Sequence, residues 1–313
     1  ASRANGVGRN SIVVANTTFA RLMMAPIEMS MPPVSTMIIC ASAATVTPHR
    51  AGRSERSTDW LADEVPVALV FNGISHAVML ATPADLEDFA LGFGLTEGLL
   101  ADASELHDVE VRETPLGIEV QMEVAGACEF RLKERRRNLT GRTGCGLCGT
   151  ESLEHVHRSL PSFTLVSQRI SVDTAAVGRG LRSLRAAQVL QQSTGAAHAA
   201  AWCTPDGEAL LVKEDVGRHN ALDKLAGAMS RARIDASQGF VCVTSRAGFE
   251  LVQKTAMIGA SMLVAVSAPT ALAVRIAEAA GMALAGFARQ DDFVAYTSPE
   301  RFGLAAATPT SSS

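Results

Sequence analysis

The feature that most constrains the fold is the alternation, from Val172 onward, of short apolar runs with segments long enough to form helices. Two of these runs, residues 240–244 and 263–267, are apolar up to their last residue. Such runs are typical of strands that are buried on both faces of a sheet, and the intervening helices would cover those faces. The pattern predicts a three-layer α/β/α domain over residues 169–304.

Periodicity and turn residues place the elements of this domain. Helices are predicted at residues 174–192, 219–232, 249–258 and 270–285. Strands are predicted at residues 199–203, 209–212, 240–244, 263–267 and 293–296. Pro205-Asp206-Gly207 predicts a hairpin turn between the first two strands.

The preceding segment, residues 56–168, has the pattern of a small α+β, roll-like domain. Residues 65–71 form an apolar strand, Asn72-Gly73 is typical of a hairpin turn, and residues 75–81 would pair back. Thr82 is a candidate cap for a helix that ends at Gly98. The apolar positions of this helix, which predict its buried face, are Leu86, Phe89, Ala90 and Phe93. Residues 109–123 alternate as one half-exposed strand does.

The two ends of the chain lack these patterns. Residues 1–55 are rich in Met, Ser, Thr, Pro and Ala without a clear period, and they predict a disordered or low-complexity extension. Residues 305–313 predict a disordered tail. No apolar stretch reaches the ~18 residues that a membrane-spanning helix needs. A net charge of -4, with two Trp and one Tyr, argues against a nucleic-acid-binding protein.

The most reactive residues that the sequence offers are Cys145 and Cys148, in a loop with glycines on both sides. A thiol is a nucleophile only as the thiolate, and near a pKa of about 8.5 little of it is ionised at neutral pH. Arg142 would lower this pKa, and the glycines leave the sulfur accessible. These properties suit a sulfur atom that accepts a group at one place and releases it at another. The low cysteine content indicates a reducing, cytoplasmic location.

Three other interpretations of the cysteine pair remain open at this point. A structural zinc site needs four ligands, and only Glu151, His155 and His157 lie close in sequence. A thioredoxin-like dithiol would follow a strand of a βαβ unit and open a helix, whereas this pair follows a basic, glycine-rich stretch. The loop could also be inert. No permanently bound metal is predicted.

Two strand-to-helix turns in the second domain carry charged and polar residues. Arg218 and His219 follow the strand at 209–212, and Ser245 and Arg246 follow the strand at 240–244. Ligands of open α/β sheets bind where strands end and helices begin, and backbone N–H groups there suit an anion. In the alternative interpretation, the turns bind no ligand: Ser245 only caps the next helix, and the charged side chains are solvated. A third basic stretch, residues 131–137, would steer an anionic ligand or form a solvated strand end.

Several motifs in order resemble one protein family. The segments are GRTGCGLCGTESL at 141–153, EDVGRHNALDK at 214–224, SRAGFELVQKTAMIGA at 245–260 and SAPTALAV at 267–274. Together with residues 63–100 they look like the formate dehydrogenase accessory sulfurtransferase family, also called FdhD/NarQ-like. The resemblance covers roughly residues 59–302.

The resemblance implies a function and a set of site residues. Members accept sulfur from a cysteine desulfurase as a persulfide, at the position of Cys145, with Cys148 as the second motif cysteine. They pass it to the bis-guanine-dinucleotide molybdenum cofactor that formate dehydrogenase requires, so guanine-nucleotide binding is expected. The cofactor-binding stretch of the family corresponds to Phe287, Ala288, Arg289, Gln290, Asp291 and Asp292. Members are typically homodimers.

The resemblance also implies that the larger domain has a fold similar to cytidine deaminases. A zinc deaminase needs an H-x-E and a P-C-x-x-C segment. The chain has no H-x-E, and Gly144 precedes Cys145. Deaminase activity is therefore not expected. The remaining alternative to sulfur transfer is a non-catalytic chaperone that binds the cofactor without chemistry. The motifs do not distinguish molybdenum from tungsten.

Overall fold

The computed structural model describes residues 40–50, 52–138, 160–163 and 169–304. The strands in that part of the chain form two larger sheets and two short strand pairs. We call residues 65–138, which contain the first larger sheet, the N-terminal lobe. Residues 169–304, which contain the second, are the C-terminal lobe.

A short antiparallel arm precedes the N-terminal lobe. Its strands are β1 Ala41–Val46, β2 His49–Arg50, β3 Arg53–Ser54 and β4 Ser57–Ala62. β1 pairs with β4, and β2 pairs with β3. The prediction that residues 1–55 are disordered is therefore wrong for the strands at its end, while residues 1–39 lie outside the described part. The arm is mostly exposed, so it lacks the apolar alternation that marks a half-buried strand.

The N-terminal lobe has a four-stranded sheet with helices packed on it. Its elements are β5 Val65–Phe71, β6 Ile74–Ala81, α1 Leu86–Thr96, β7 Leu106–Thr114, β8 Gly117–Val124 and α2 Gly126–Asn138. The strand order is β6-β5-β8-β7. The predicted hairpin is confirmed, because Asn72 and Gly73 both have positive φ, as a two-residue hairpin turn requires. The predicted buried face of α1 is also confirmed.

Three predictions for this lobe are wrong. Thr82 does not cap α1, since the residue before the helix is Asp85 and it makes no side-chain cap. The single strand at 109–123 is two antiparallel strands, β7 and β8, whose turn contains Pro115. The apolar alternation changes phase between Val111 and Ile118, and Pro115 and Gly117 mark the break. The basic run at 131–137 lies in α2 rather than at a strand end.

The C-terminal lobe is built on a six-stranded mixed sheet. Its strands are β9 His198–Cys203, β10 Ala209–Asp215, β11 Phe240–Val243, β12 Met262–Ala265, β13 Ala283–Arg289 and β14 Asp292–Thr297, in the order β10-β9-β11-β12-β13-β14. β11, β12 and β13 are parallel, and β9 is antiparallel to both β10 and β11. β10, β11, β12 and β13 therefore end at one edge of the sheet, which we call the carboxyl edge.

Helices cover both faces of this sheet. They are α3 Thr174–Ala187, α4 Val189–Thr194, α5 Arg218–Arg231, α6 Phe249–Met257 and α7 Ala271–Ala280. One core contains buried residues of α5, α6 and α7, and a second core, on the other face, contains those of α3. Strand residues alternate between the two cores, as Ala199 and Ala200 do. No described helix meets the length and hydropathy needed to span a bilayer.

The helix predicted at 270–285 is partly wrong. α7 ends at Ala280, Gly281 takes the left-handed conformation, and residues from Ala283 form β13. Alanine favours helices, so the Ala-rich composition concealed the strand. A glycine that ends a helix was the available signal. The predicted helix at 174–192 likewise divides into α3 and α4.

Candidate functional site at the carboxyl edge of the sheet

The carboxyl edge brings together loops that are distant in sequence. The N–H of Ser267 donates to the carbonyl of Ser245 at 3.3 Å, and the N–H of Phe287 donates to the carbonyl of Ser267 at 3.2 Å. Parallel strands that end at the same edge place their following loops side by side. Ser245 and Phe287 are both predicted site residues. Each is hydrogen-bonded to Ser267, so the loops that contain them lie close together.

Arg218 and His219 begin α5 directly after β10. The residue before the helix, Gly217, has no side chain to cap it, and its N–H donates to Asp215 Oδ1 at 2.8 Å. Within the described residues, Arg218 Nε is buried without a hydrogen-bond partner. An unpaired buried guanidinium nitrogen is costly, and an anion at this turn would satisfy it.

A close contact between a histidine and a carboxylate links the first turn to the second. His219 Nε2 lies 3.7 Å from Glu250 Oε2, in the first turn of α6. The contact with His219 is the main reason that the pKa of Glu250 is lowered, although burial opposes it. The starts of α5 and α6 are therefore adjacent.

The second turn differs from the prediction in one respect. Ser245 does not cap α6, which begins after Gly248 without a side-chain cap. Its hydroxyl instead donates to the carbonyl of Arg246 at 3.0 Å, and the Ser245 side chain is buried. Arg246 is exposed at the edge. Of the two residues, only Arg246 presents its side chain to solvent.

The stretch Phe287–Asp292 has two parts with different surroundings. Phe287 is 47% exposed and has φ +51°, a conformation that is strained for a bulky side chain. Strain of this kind clusters at binding and catalytic sites. At the other end, Asp291 Oδ1 pairs with Arg182 Nη1 of α3 at 2.8 Å. Ala288 between them is buried.

A cleft of about 430 Å³ lies at the same edge, between α3, α4 and the loops after β11 and β12. Its walls include Arg185, Gln188, Gln191, His198, Thr244 and Val266. Burial lowers the pKa of His198, and the charges of Arg218 and His219 lower it further. The position of His198 at the start of β9, beside the ends of β10 and β11, was not visible without the strand order.

The predicted sulfur-carrying loop, Cys145 to Cys148, lies outside the described residues, and so do Glu151, His155 and His157. The four described cysteines, Cys40, Cys128, Cys203 and Cys242, are all free and buried. Burial raises the pKa of Cys40, Cys128 and Cys242. These four buried sulfurs lack the access that a carrier needs. In the described ranges there is also no group of three or more His, Cys, Asp or Glu residues that could hold a metal.

Comparisons with known proteins agree on one family. Residues 62–303 match the model of the FdhD/NarQ family. The sulfur carrier protein FdhD of Variovorax paradoxus (strain S110) is 60% identical over 252 residues, which cover 80% of this chain and 90% of that protein. The sulfur carrier protein FdhD of Cupriavidus necator is 58% identical over 260 residues, covering 83% of this chain and 89% of that protein.

A solved structure shares the fold. The crystal structure of a formate dehydrogenase accessory protein from Desulfotalea psychrophila has a TM-score of 0.67 to this chain, at 21% sequence identity. The match covers 84% of this chain and 99% of that protein. At this identity the likeness supports the mixed α/β fold alone.

Proposed function

The chain belongs to the FdhD/NarQ family, and on that basis we propose that it is a sulfur carrier for the maturation of formate dehydrogenase. In this proposal Cys145 receives sulfur from a cysteine desulfurase. The sulfur is then delivered to the bis-guanine-dinucleotide molybdenum cofactor, held at the carboxyl edge. The relatives named above are called sulfur carrier proteins, which supports the general role.

The observation that carries the proposal is the state of the other cysteines. The chain has six, and the four described ones are buried. A sulfur carrier needs an accessible thiolate, so the role falls to the glycine-flanked pair Cys145 and Cys148. This pair follows α2, whose Cys128 and Leu132 are buried in the N-terminal lobe.

The loading step is a thiol–persulfide exchange. The Cys145 thiolate attacks the outer sulfur of the donor's persulfide, the donor S–S bond breaks, and the donor cysteine leaves as a thiolate. The outer sulfur, with its proton, is then bonded to Cys145. The exchange needs no external oxidant or reductant. Arg142 favours the attacking thiolate by its positive charge.

The carboxyl edge suits the nucleotide arms of the cofactor. Arg218, with its unpaired nitrogen, and the exposed Arg246 would pair with phosphate oxygens. The exposed ring of Phe287 offers a flat apolar surface for a base. His198, with its lowered pKa, adds a polar group without a full charge at neutral pH. If bound there, the cofactor would supply the acceptor for the sulfur.

Cellular complementation separates the carrier from the chaperone. In cells that lack their own FdhD, the wild-type chain should restore formate dehydrogenase activity, and Cys145→Ala should not. The Cys242→Ala variant, which removes a buried thiol, is the control and should retain activity at permissive temperature. If Cys145→Ala restores full activity, the chain is a non-catalytic cofactor chaperone.

Nucleotide binding tests the cofactor site separately. GDP, titrated calorimetrically into the protein, should bind the wild type, and Arg218→Met should weaken binding about tenfold or more, because a hydrogen bond to a charged group contributes about 1.5–3 kcal/mol. Arg112→Met, which removes an exposed arginine of the other lobe, should bind GDP as the wild type does. Equal affinity of Arg218→Met and the wild type would exclude Arg218 from the site. The homodimer, the cytoplasmic location and the absence of a structural zinc remain predictions.

A further inference from the structure

Thr82, in the segment between β6 and α1, contacts the C-terminal lobe with three different atoms. Its N–H donates to Asp215 Oδ2 at 3.0 Å, and its carbonyl accepts from Lys224 Nζ at 3.0 Å. Its hydroxyl oxygen accepts from the N–H of Val216 at 3.1 Å. Thr82 is almost fully buried. The nearest of these partners is 133 residues away in the chain.

The same Asp215 carboxylate organises the turn before α5. Lys224 Nζ lies 2.6 Å from Oδ2, and both side chains are fully buried. The other oxygen, Oδ1, accepts from the Gly217 N–H at 2.8 Å and from Asn220 Nδ2 at 2.9 Å. A charge buried this deeply needs such partners, because an unpaired buried charge is strongly destabilising.

We infer that Thr82 is a positioning residue for the turn from Val216 to His219, which presents Arg218 to the ligand. Its hydroxyl fixes the Val216 amide directly, and its backbone fixes the carboxylate that holds Gly217. Thr82 belongs to the N-terminal lobe, whereas the turn that it contacts belongs to the C-terminal lobe. A change in the position of the N-terminal lobe would therefore move the turn from Val216 to His219. The expected effect on ligand binding rests on the proposed function, whereas the hydrogen-bonded link between Thr82 and the turn does not.

The chain provides a matched control in Thr96. This residue is also a buried threonine of the N-terminal lobe, and its hydroxyl donates to Asp223 Oδ1 at 2.6 Å. Lys254 Nζ completes that cluster, 2.9 Å from Asp223 Oδ1. Removal of the Thr96 hydroxyl thus damages a buried interlobe cluster without touching the turn at 216–219.

Amide hydrogen exchange tests the link. Thr82→Val removes the acceptor for the Val216 N–H but leaves the backbone contacts of Thr82 in place, and Thr82→Ser keeps the acceptor. We expect the Val216 and Gly217 amides to exchange about five- to tenfold faster in Thr82→Val, the effect of losing one hydrogen bond. Thr82→Ser and Thr96→Val should show wild-type exchange at these two amides. Unchanged exchange in Thr82→Val, or an equal increase in Thr96→Val, would overturn the inference.

GDP binding separates this inference from the proposed function. If the wild type binds GDP, Thr82→Val should bind it several-fold more weakly, while Thr96→Val and Thr82→Ser should match the wild type. Equal GDP affinity in all four proteins would overturn the role of Thr82 in ligand binding. If the wild type does not bind GDP, the proposed cofactor site fails, and the exchange rates still decide whether Thr82 positions the turn.

Discussion

The interface between the lobes and the carboxyl edge of the sheet draw their charged residues from the same motif but place them in opposite environments. Asp215 and Lys224 are both 0% exposed and lie between the lobes, where they bind each other and Thr82. Arg218 and His219 stand between them in sequence but lie at the edge, partly exposed. The charged residues of one sequence motif therefore belong to two different regions of the structure, and only some of them lie at the candidate site.

The two sets of charged residues differ in whether their charges have partners within the protein. At the interface every charge has a partner at close range, as Lys254 has in Asp223 and Glu97. Burial alone would lower the pKa of Lys254, but these two carboxylates raise it. At the edge, Arg218 Nε has no partner within the described residues. Satisfied buried charges hold lobes together, whereas unsatisfied charges at an edge are available to a ligand.

The largest effect is expected for Lys224→Met. The variant leaves the Asp215 carboxylate buried without its counter-charge, which should lower the free energy of unfolding by about 3–5 kcal/mol. Chemical denaturation measures this loss. Arg218→Met is the matched change at the edge and should lower the free energy of unfolding by no more than about 0.5 kcal/mol. Similar losses for both variants would erase the distinction between the two regions.

A smaller effect is expected where α1 crosses α5. A Cβ at Gly92 would lie 1.7 Å from the carbonyl oxygen of Asp223, so Gly92→Ala forces the helices apart. We expect a loss of about 2–3 kcal/mol in denaturation experiments. Gly94→Ala in the same helix would meet only the side chain of Leu100, which can move, and should cost less. A larger loss for Gly94→Ala would mean that the helix crossing does not depend on Gly92.

The exposed pair Arg182–Asp291 should contribute less again. The two side chains are 54% and 69% exposed, so solvent screens their attraction. Arg182→Met should therefore lower the free energy of unfolding by less than about 1 kcal/mol. The same denaturation experiment in high salt should shrink the difference between variant and wild type. A loss as large as that of Lys224→Met would contradict the contrast between buried and exposed pairs.

The smallest effect is expected for the pH dependence of Glu250. Its pKa is lowered in the folded state, chiefly by His219. A carboxyl of this kind adds stability above its unfolded pKa of about 4.3 and loses that contribution as the pH falls through the lower folded value. Glu250→Gln should therefore flatten the acid limb of a plot of unfolding midpoint against pH. An unchanged acid limb would show that the His219 contact is not formed in solution.

Local signals made parts of the fold predictable from sequence. The hairpin of β5 and β6 follows from two apolar runs and Asn72-Gly73, which lie within a few residues of each other. The turns at Arg218 and Ser245 were also predictable, because a strand end and a helix start adjoin in sequence. Neighbouring residues determine such features, so one sequence suffices to find them.

Other features depend on contacts between distant segments. In the sequence, the position of Thr82 is typical of a helix cap. Only the fold shows that its hydroxyl instead accepts a hydrogen bond from the N–H of Val216. His198 became a candidate site residue once the strand order placed β9 between β10 and β11. The strand β13 was hidden because its alanines favour a helix, and pairing with β12 and β14 overrides that preference.

Mass spectrometry of the intact protein, after incubation with a cysteine desulfurase and cysteine, shows whether Cys145 carries sulfur. We expect a gain of one sulfur atom that a reductant removes, that peptide analysis assigns to Cys145, and that Cys145→Ala abolishes. A sulfur adduct on Cys40, Cys128, Cys203 or Cys242, or no adduct on the wild type, would contradict this role of Cys145.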